Sequence, residues 1–575
     1  MKPLDWIVLL VSLVAIVGYG LHKSRGKQTI RDYILAGKTM PWWAMGLSIM
    51  ATQASAITFI GTTGQAYTDG MRFVQFYFGL PLAMVILSAT VVPLFHRARV
   101  VTAYEFLEQR FDAKTRLAAS LIFLIQRGLG VGLALYAPAV VLSVIFGWSE
   151  RATVLLMAGI VLCYAVPGGV KAVTWTDVQQ MMLIFLGVFA AFATAVLLLP
   201  PGVRFADALY LAGVSGKLNA VDLSFDLQNR YNLWSGLIGG MFLALSYFGC
   251  DQSQVQRYLT GKSIAHSRVS LLFNGLVKVP LQFFILLTGT MVFAFFLFEK
   301  PPMLFNRAET ARLEQAAPAA ARAEYRAALE QYDRAHAERR ALALRMIETR
   351  KNPPPGAAAL NPAELRAANQ AVQEARRKGI EALQAASPGA SYDDTNYIFL
   401  TFVTRYFPVG MVGLIIAAIF AAAMSTISAE LNALASTTVI DLYRRFLRRD
   451  APDRHYVVAA KTATVFWGLY AATFAFFGGR LGSLIEAVNM VGSLFYGSLL
   501  GVFVLAFGVR RATGTGAFLG LIAGELAVVL TSRLTSISYL WYNVVGCLVV
   551  VMVGWVASRL VGSRNTPGAI RGEPA

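Results

Sequence analysis

More than a dozen stretches of this 575-residue chain stay apolar over a length that can cross a lipid bilayer, among them Ile7–Leu21, Ile184–Leu199, Phe283–Phe298 and Met411–Met424. About 20 mostly apolar helical residues cover the ~30 Å hydrocarbon layer. Composition agrees: 56% of residues are hydrophobic and 14% charged, against ~45–50% and ~25% in soluble globular chains. A soluble enzyme is thereby excluded, and the chain is expected to be an all-α integral membrane protein. Thirteen spans are expected, near 5–22, 41–67, 73–95, 117–147, 152–167, 175–199, 232–250, 270–298, 402–440, 457–478, 484–508, 514–532 and 538–560.

The formal charge of +19 would suggest nucleic acid until it is located. Residues 301–394 hold 14 basic and 12 acidic residues, so the other positions carry 37 basic against 20 acidic. With the N-terminus outside, the thirteen spans place 25 of those 37 on the cytoplasmic side and 10 opposite, and leave Arg127 and Lys278 inside spans. Lysine and arginine excess marks the cytoplasmic face. The charge therefore reports a multi-pass protein of the plasma or inner membrane, C-terminus inside, with lipid as its surroundings and no nucleic acid partner. Three cysteines, Cys163, Cys250 and Cys547, lie in or beside spans and form no disulfide framework. Ile7–Leu21 lacks a basic leader and a cleavage site and reads as a retained first helix.

Segment 301–394 is a different material, rich in Ala, Arg, Glu and Gln, with the runs Ala319–Arg350 and Pro362–Ala386 separated by Asn352-Pro353-Pro354-Pro355-Gly356. Its composition favours solvated helix, and an extramembrane helical hairpin is expected. A lid, a surface for a protein partner and a tolerated loop insertion all remain open for it; otherwise a monomer is expected. Two spans are interrupted by small or polar residues. The second reads Met50-Ala51-Thr52-Gln53-Ala54-Ser55-Ala56-Ile57-Thr58, the seventh Gly239-Gly240 and then Ser246 to Asp251. Irregular backbone at membrane depth is tolerated only inside protein or around a cavity, and paired interruptions in two halves of a chain point to a transport site. Ordinary packing of small residues between helices accounts for the same composition.

Four stretches resemble the sodium/solute symporter family: Thr102-Ala103-Tyr104-Glu105-Phe106-Leu107-Glu108-Gln109-Arg110-Phe111, Gly168-Gly169-Val170-Lys171-Ala172-Val173-Thr174-Trp175-Thr176-Asp177, Asp251 to Leu259, and Ala421-Ala422-Ala423-Met424-Ser425-Thr426. They fall in family order across residues 41 to about 508. The resemblance implies a LeuT-like fold of two five-helix inverted repeats, 41–199 and 232–508, each with a broken first helix. Residues 1–40 add an N-terminal helix and cytoplasmic loop, 200–231 an external loop, 301–394 the insertion, and 509–575 two helices and a tail. It also implies a co-transported sodium ion held by the carbonyls of Ala51, Ala54 and Ala422 and the hydroxyls of Ser425 and Thr426.

The chemistry suits that assignment. A small hard cation wants several oxygen ligands, by analogy with calcium, and neutral oxygens let it leave again. Ser425 and Thr426 project about 100° apart on a helix and can flank one ion. Taken without the family, hydroxyls bonding back to i−4 carbonyls explain the pair as well. Asp177 matches a family aspartate on the sodium path, although an N-terminal helix residue favoured by the dipole is equally consistent. Ser428 occupies one hydroxyl position of a second family sodium site, but Ala429 occupies the other, so one sodium per cycle is expected. Glu430 departs from the family pattern. Four residues after Thr426 it shares a helix face, where it can replace the missing hydroxyl, accept a proton, pair with a basic residue, or stand in a cytoplasmic vestibule.

Substrate signals conflict. By resemblance, Gln53, Thr58, Tyr77, Tyr247, Lys278 and Asn489 are the substrate-binding or gating candidates. Tyr247 matches an inner-gate tyrosine of sugar carriers, and Lys278, about 12 Å into its span at 1.5 Å per residue, matches a substrate-contacting lysine. The sugar-binding glutamine, glutamate and asparagine positions hold Thr58, Tyr77 and Ala244, and the Gln254-Val255-Gln256-Arg257-Tyr258 motif with Tyr136-Ala137-Pro138-Ala139 sits closer to the iodide, monocarboxylate and vitamin branch. Arg127 and Lys278 offer cations to an anion or serve as ion-pair partners. The expectation is a sodium-coupled symporter importing a small organic solute (sugar, sugar acid, monocarboxylate or vitamin-like) by alternating access. A solute sensor on the same scaffold is the competing class. No HExxH or GxSxG pattern occurs, and an enzyme is not expected.

Overall fold

A computed structural model of the chain describes residues 1–23, 29–353, 361–384, 393–476 and 484–560. Pro354-Pro355-Gly356 of the hairpin separator, the last residues of the Pro362–Ala386 run, the end of the expected span 457–478 and the tail after Leu560 lie outside the described residues. Among the described residues, ten helical runs are long and apolar enough to cross a membrane. They reconcile with thirteen spans because two of the runs hold more than one crossing and the seventh span is a shorter helix, Ser235–Gly249.

The run Arg151–Leu197 is 47 residues long, about 70 Å if straight, more than twice the hydrocarbon thickness. It reverses at Gly169, whose φ of 56° and ψ of −167° break the helix two residues after Pro167. A β-carbon built on Gly20 would lie 2.9 Å from Thr176 and 3.7 Å from Tyr164; a straight helix would hold those two residues about 18 Å apart. The expected spans 152–167 and 175–199 are therefore the two arms of a hairpin. The bend presses onto the Tyr33 carbonyl, 2.6 Å from where a Gly169 side chain would begin, so only glycine fits both the angle and the space.

The expected ninth span, 402–440, is corrected. Thr395–Tyr406 is a separate helix, and the crossing helix runs from Met411 to Leu447 after a break at Phe407–Gly410. Pro408 lacks an amide proton to continue the first helix, and Gly410 turns the chain at φ 87°. The expected third span, 73–95, likewise resolves into Gly70–Tyr77, Leu80–Ala89 and Val91–Ala98.

Met411–Leu447 is the centre of the bundle, with 89% of its apolar window buried, whereas Pro3–Lys23 at the rim buries 22%. Alanine supplies that difference. The run Ala417 to Ala423 contains five alanines, small enough to let neighbouring helices approach closely.

The insertion forms the helices Arg307–Ala316, Ala319–Lys351 and Pro362–Gln384. It is docked on the bundle at the Phe298 end of Ile264–Phe298, away from the basic loop that precedes that helix. Leu342, Met346, Ile347 and Leu365 of the insertion form one apolar cluster with Leu211, Leu297 and Phe298 of the bundle. Lys351 pairs with Asp207 at 2.9 Å, and Arg339 Nη2 donates to the Phe296 carbonyl at 2.8 Å. Its base is clasped where the chain leaves and rejoins the bundle: Asp394 accepts from the Phe305 amide at 2.6 Å and pairs with Arg376.

Candidate functional site

The second span breaks in mid-course. Trp42–Gln53 ends with Ala54 outside helical geometry, and Ser55 caps a new helix, Ala56–Asp69, by accepting from the Thr58 amide at 3.4 Å. A helix end leaves its last four carbonyls without intrahelical partners, here those of Ala51 to Ala54. Thr426 Oγ1 donates to the Thr52 carbonyl at 3.0 Å, and Thr58 Oγ1 to that of Gln53 at 3.4 Å. Among the described residues no hydrogen bond reaches the carbonyls of Ala51 and Ala54.

Thr426 also lies 3.2 Å from the Ala422 carbonyl, so one hydroxyl bridges the central helix and the broken one. Ser425 donates to Asp177 Oδ1 at 2.7 Å. Ser48 donates to Asp177 Oδ2 at 2.5 Å, and Arg257 stands 3.7 Å from that oxygen. The structure thus brings Ala422, Ser425, Thr426 and Asp177 together at the break. Ser48 and the Thr52 carbonyl were missed by the sequence reasoning, although Ser48 lies one turn before Thr52 in the same interrupted span. Ser428 donates to the Ser425 carbonyl of its own helix at 3.1 Å and lies within hydrogen-bonding reach of Tyr164.

A second polar group lies on the helix Ile264–Phe298. Asn274, Lys278 and Gln282, one turn apart, are all fully buried. Among the described residues Lys278 Nζ, Asn274 Oδ1 and both amide atoms of Gln282 have no hydrogen-bond partner. Lys278 Nζ sits 5.6 Å from the centre of the Tyr77 ring, a cation–π contact. Gln53 Oε1 is another buried atom without a partner among the described residues. The i, i+4, i+8 spacing of the stripe was visible in the sequence, which singled out Lys278 alone. Asn489 directs its amide to the Ile485 carbonyl of its own helix at 2.7 Å.

Arg127 is not available to an anion. Its Nη1 donates to Glu430 Oε1 at 2.7 Å, and its Nη2 to Asp251 and to the Tyr496 hydroxyl. The guanidinium also lies 5.3 Å from the Tyr247 ring centre, and Gln254 donates to the Tyr247 hydroxyl at 2.8 Å. Of the roles open to Glu430, the structure shows pairing with a basic residue.

Residues 33–318 and 379–524 match the family described as "Sodium:solute symporter family". The chain belongs to the sodium:solute symporter family. The unmatched interval falls on the hairpin, so this insertion is additional to the family pattern. The symporter is 25% identical to "Sodium/sialic acid symporter NanT" of Aliivibrio fischeri, over 97% of this chain and 93% of the relative. It is 26% identical to "Sodium/glucose cotransporter" of Vibrio parahaemolyticus, over 90% and 83%. It is 27% identical to "Sodium-coupled monocarboxylate transporter 1" of Homo sapiens, over 90% and 72%. Its fold matches a sodium-coupled sialic acid symporter solved in a substrate-bound outward-open state, with a TM-score of 0.75 at 23% identity over 98% and 99% of the two chains. The protein is a sodium-coupled symporter of a small solute with a LeuT-like membrane fold, and not an enzyme.

Proposed function

We propose that the symporter imports a small organic anion, coupled to one sodium ion held by the carbonyls of Ala51, Ala54 and Ala422 and the hydroxyls of Ser425 and Thr426. The observation that carries the ion site is the Thr426 hydroxyl spanning the central helix and the broken one. An ion there replaces that hydrogen bond with ligation from both helices, and so favours the arrangement in which the break and the central helix stay together. Coupling requires that this arrangement bind sodium better than the alternative. Asp177 holds Ser425 in place and, through Arg257, links the site to the cytoplasmic half of the path. Ser428, bonded within its own helix, with Ala429 beside it, supports one ion per cycle.

Lys278 supports a negatively charged solute. A buried ammonium is costly unless paired, and a carboxylate supplies the missing charge, with Asn274 and Gln282 one turn away on the same helix as polar neighbours and Gln53 as a further contact of the solute. Together with Thr58, Tyr77 and Tyr247, which contact the solute or gate it, these residues form the proposed solute site, the central bay. The repeats are 41–199 and 232–508, and the charge distribution supports an outside N-terminus and a cytoplasmic C-terminus, which puts the hairpin outside. Uptake of labelled lactate and glucuronate into proteoliposomes under an imposed sodium gradient tests the reading. Accumulation should collapse in the Ser425→Ala/Thr426→Ala variant; full sodium stimulation in that variant refutes the ion site, and binding without flux makes the protein a sensor.

A further inference from the structure

Beneath the hairpin lies a cavity of about 860 Å³, within the ~300–1,000 Å³ range of small-molecule sites. Its floor includes Tyr67 and Asp69, at the outer end of the helix that begins at the sodium-site break, and Phe293. Lys278 and Phe293 are fifteen residues apart on one helix, about 22 Å, so the cavity is distinct from the central bay.

Its cationic lining is Lys217, Arg339, Arg366, Arg376 and Arg377. Two of these are answered locally: Arg376 by Asp394, and Lys217 by the nearby Asp69 carboxylate. Arg377 is 3.7 Å from Glu381 on an exposed face, and Glu374 is the remaining acid of the lining. Arg339 is different. It is 3% exposed, and its partners are neutral: the Phe296 carbonyl and, at 3.5 Å, Asn369 Oδ1. Its Nε has no partner, and no carboxylate pairs with it among the described residues. Burial pulls this guanidinium down from its ordinary range. Arg366, exposed at the rim, donates to a neutral group, the Val214 carbonyl, at 3.0 Å, so its charge is answered by solvent alone. Buried charge normally comes paired, and the aromatic walls Tyr67, Phe293, Phe305 and Tyr332 suit the body of an organic solute.

We infer that this cavity is an antechamber that binds a small organic carboxylate before it reaches the central bay, with Arg339 and Arg366 holding the carboxylate against the aromatic floor. It rests on the reading of a carboxylate as the transported solute but does not require the sodium site.

The test is equilibrium binding of labelled glucuronate and lactate to the full-length protein in phosphatidylcholine nanodiscs, with glucose as the neutral control and choline replacing sodium. Carboxylate binding should persist in a Ser425→Ala/Thr426→Ala/Lys278→Met background. It should weaken about tenfold or more in Arg366→Gln/Arg377→Glu, while glucose gains no such dependence. Arg377 has a 70% exposed side chain, so its reversal leaves the fold intact; Arg339→Gln provides the buried counterpart. The inference is overturned if no sodium-independent carboxylate binding occurs, or if the arginine variants bind as tightly as the parent. Loss of sodium-driven uptake with this binding preserved would instead count against the transport reading alone.

Discussion

Arg127 shares one guanidinium between two buried carboxylates, and that imbalance makes its variants unequal. Glu430→Gln leaves a balanced Arg127–Asp251 pair, and the amide oxygen still accepts from Nη1, which now stands 2.7 Å from Glu430 Oε1. The loss is confined to the charge on one hydrogen bond, about 1 kcal/mol or less. Arg127→Gln strands Glu430 and Asp251 together with no cation, and breaking a buried pair from one side costs ~3–5 kcal/mol. Asp251→Asn falls between, because Asp251 also accepts from the Ser253 amide and hydroxyl at 2.8 and 2.7 Å. Thermal unfolding of purified protein in one detergent, followed by size-exclusion, gives the ranking. The expected order of stability is parent, Glu430→Gln, Asp251→Asn, Arg127→Gln. Equal damage from Glu430→Gln and Arg127→Gln would refute the shared-cation argument, and a changed pH profile of uptake in Glu430→Gln would give Glu430 a titrating role.

Two further outcomes rest on other buried titratable groups. Lys278→Met should raise the melting temperature, because it removes a buried ammonium without a partner among the described residues, and should raise the KM for carboxylate uptake at least tenfold; unchanged KM removes Lys278 from the bay. His336, in the docked hairpin, is held neutral by burial and by Arg339, its pKa lowered to about 4. Undocked, it takes up a proton near pH 6.5, so docking is at full strength above that value and weakens as pH falls toward 4. Hydrogen exchange across Ala319–Lys351 at pH 7 and pH 5 should show faster exchange at the lower value, and His336→Gln should flatten the difference.

Much of the bundle was legible because lipid imposes one rule on every span, and apolar length alone finds most of them. The exceptions share a cause. Hydropathy runs unbroken through Phe407-Pro408-Val409-Gly410, so the ninth span was drawn across a break that only proline and glycine signal. The Ser425/Thr426 pair and Asp177 carry a motif signal in the sequence, and the structure sets Ser425 against Asp177 and Thr426 against the broken helix. Ser48 was not found, because its partner Asp177 is 129 positions away. Glu430 was noticed as an anomaly, but its partner Arg127 lies 303 positions away and depends on the packing of three helices. Asn274 and Gln282 needed only the four-residue period around Lys278. The docking of the hairpin was not legible, since its solvated composition gives no sign of which face turns inward.

The clasp at Asp394 has a practical consequence. Because the chain leaves and returns through one pinned point, the segment beyond it resembles a cassette on a fixed socket. A fluorescent or affinity module put in place of that segment should therefore bring its own partner for Asp394 and its own apolar cover for Leu297 and Phe298, or the spans beneath lose both.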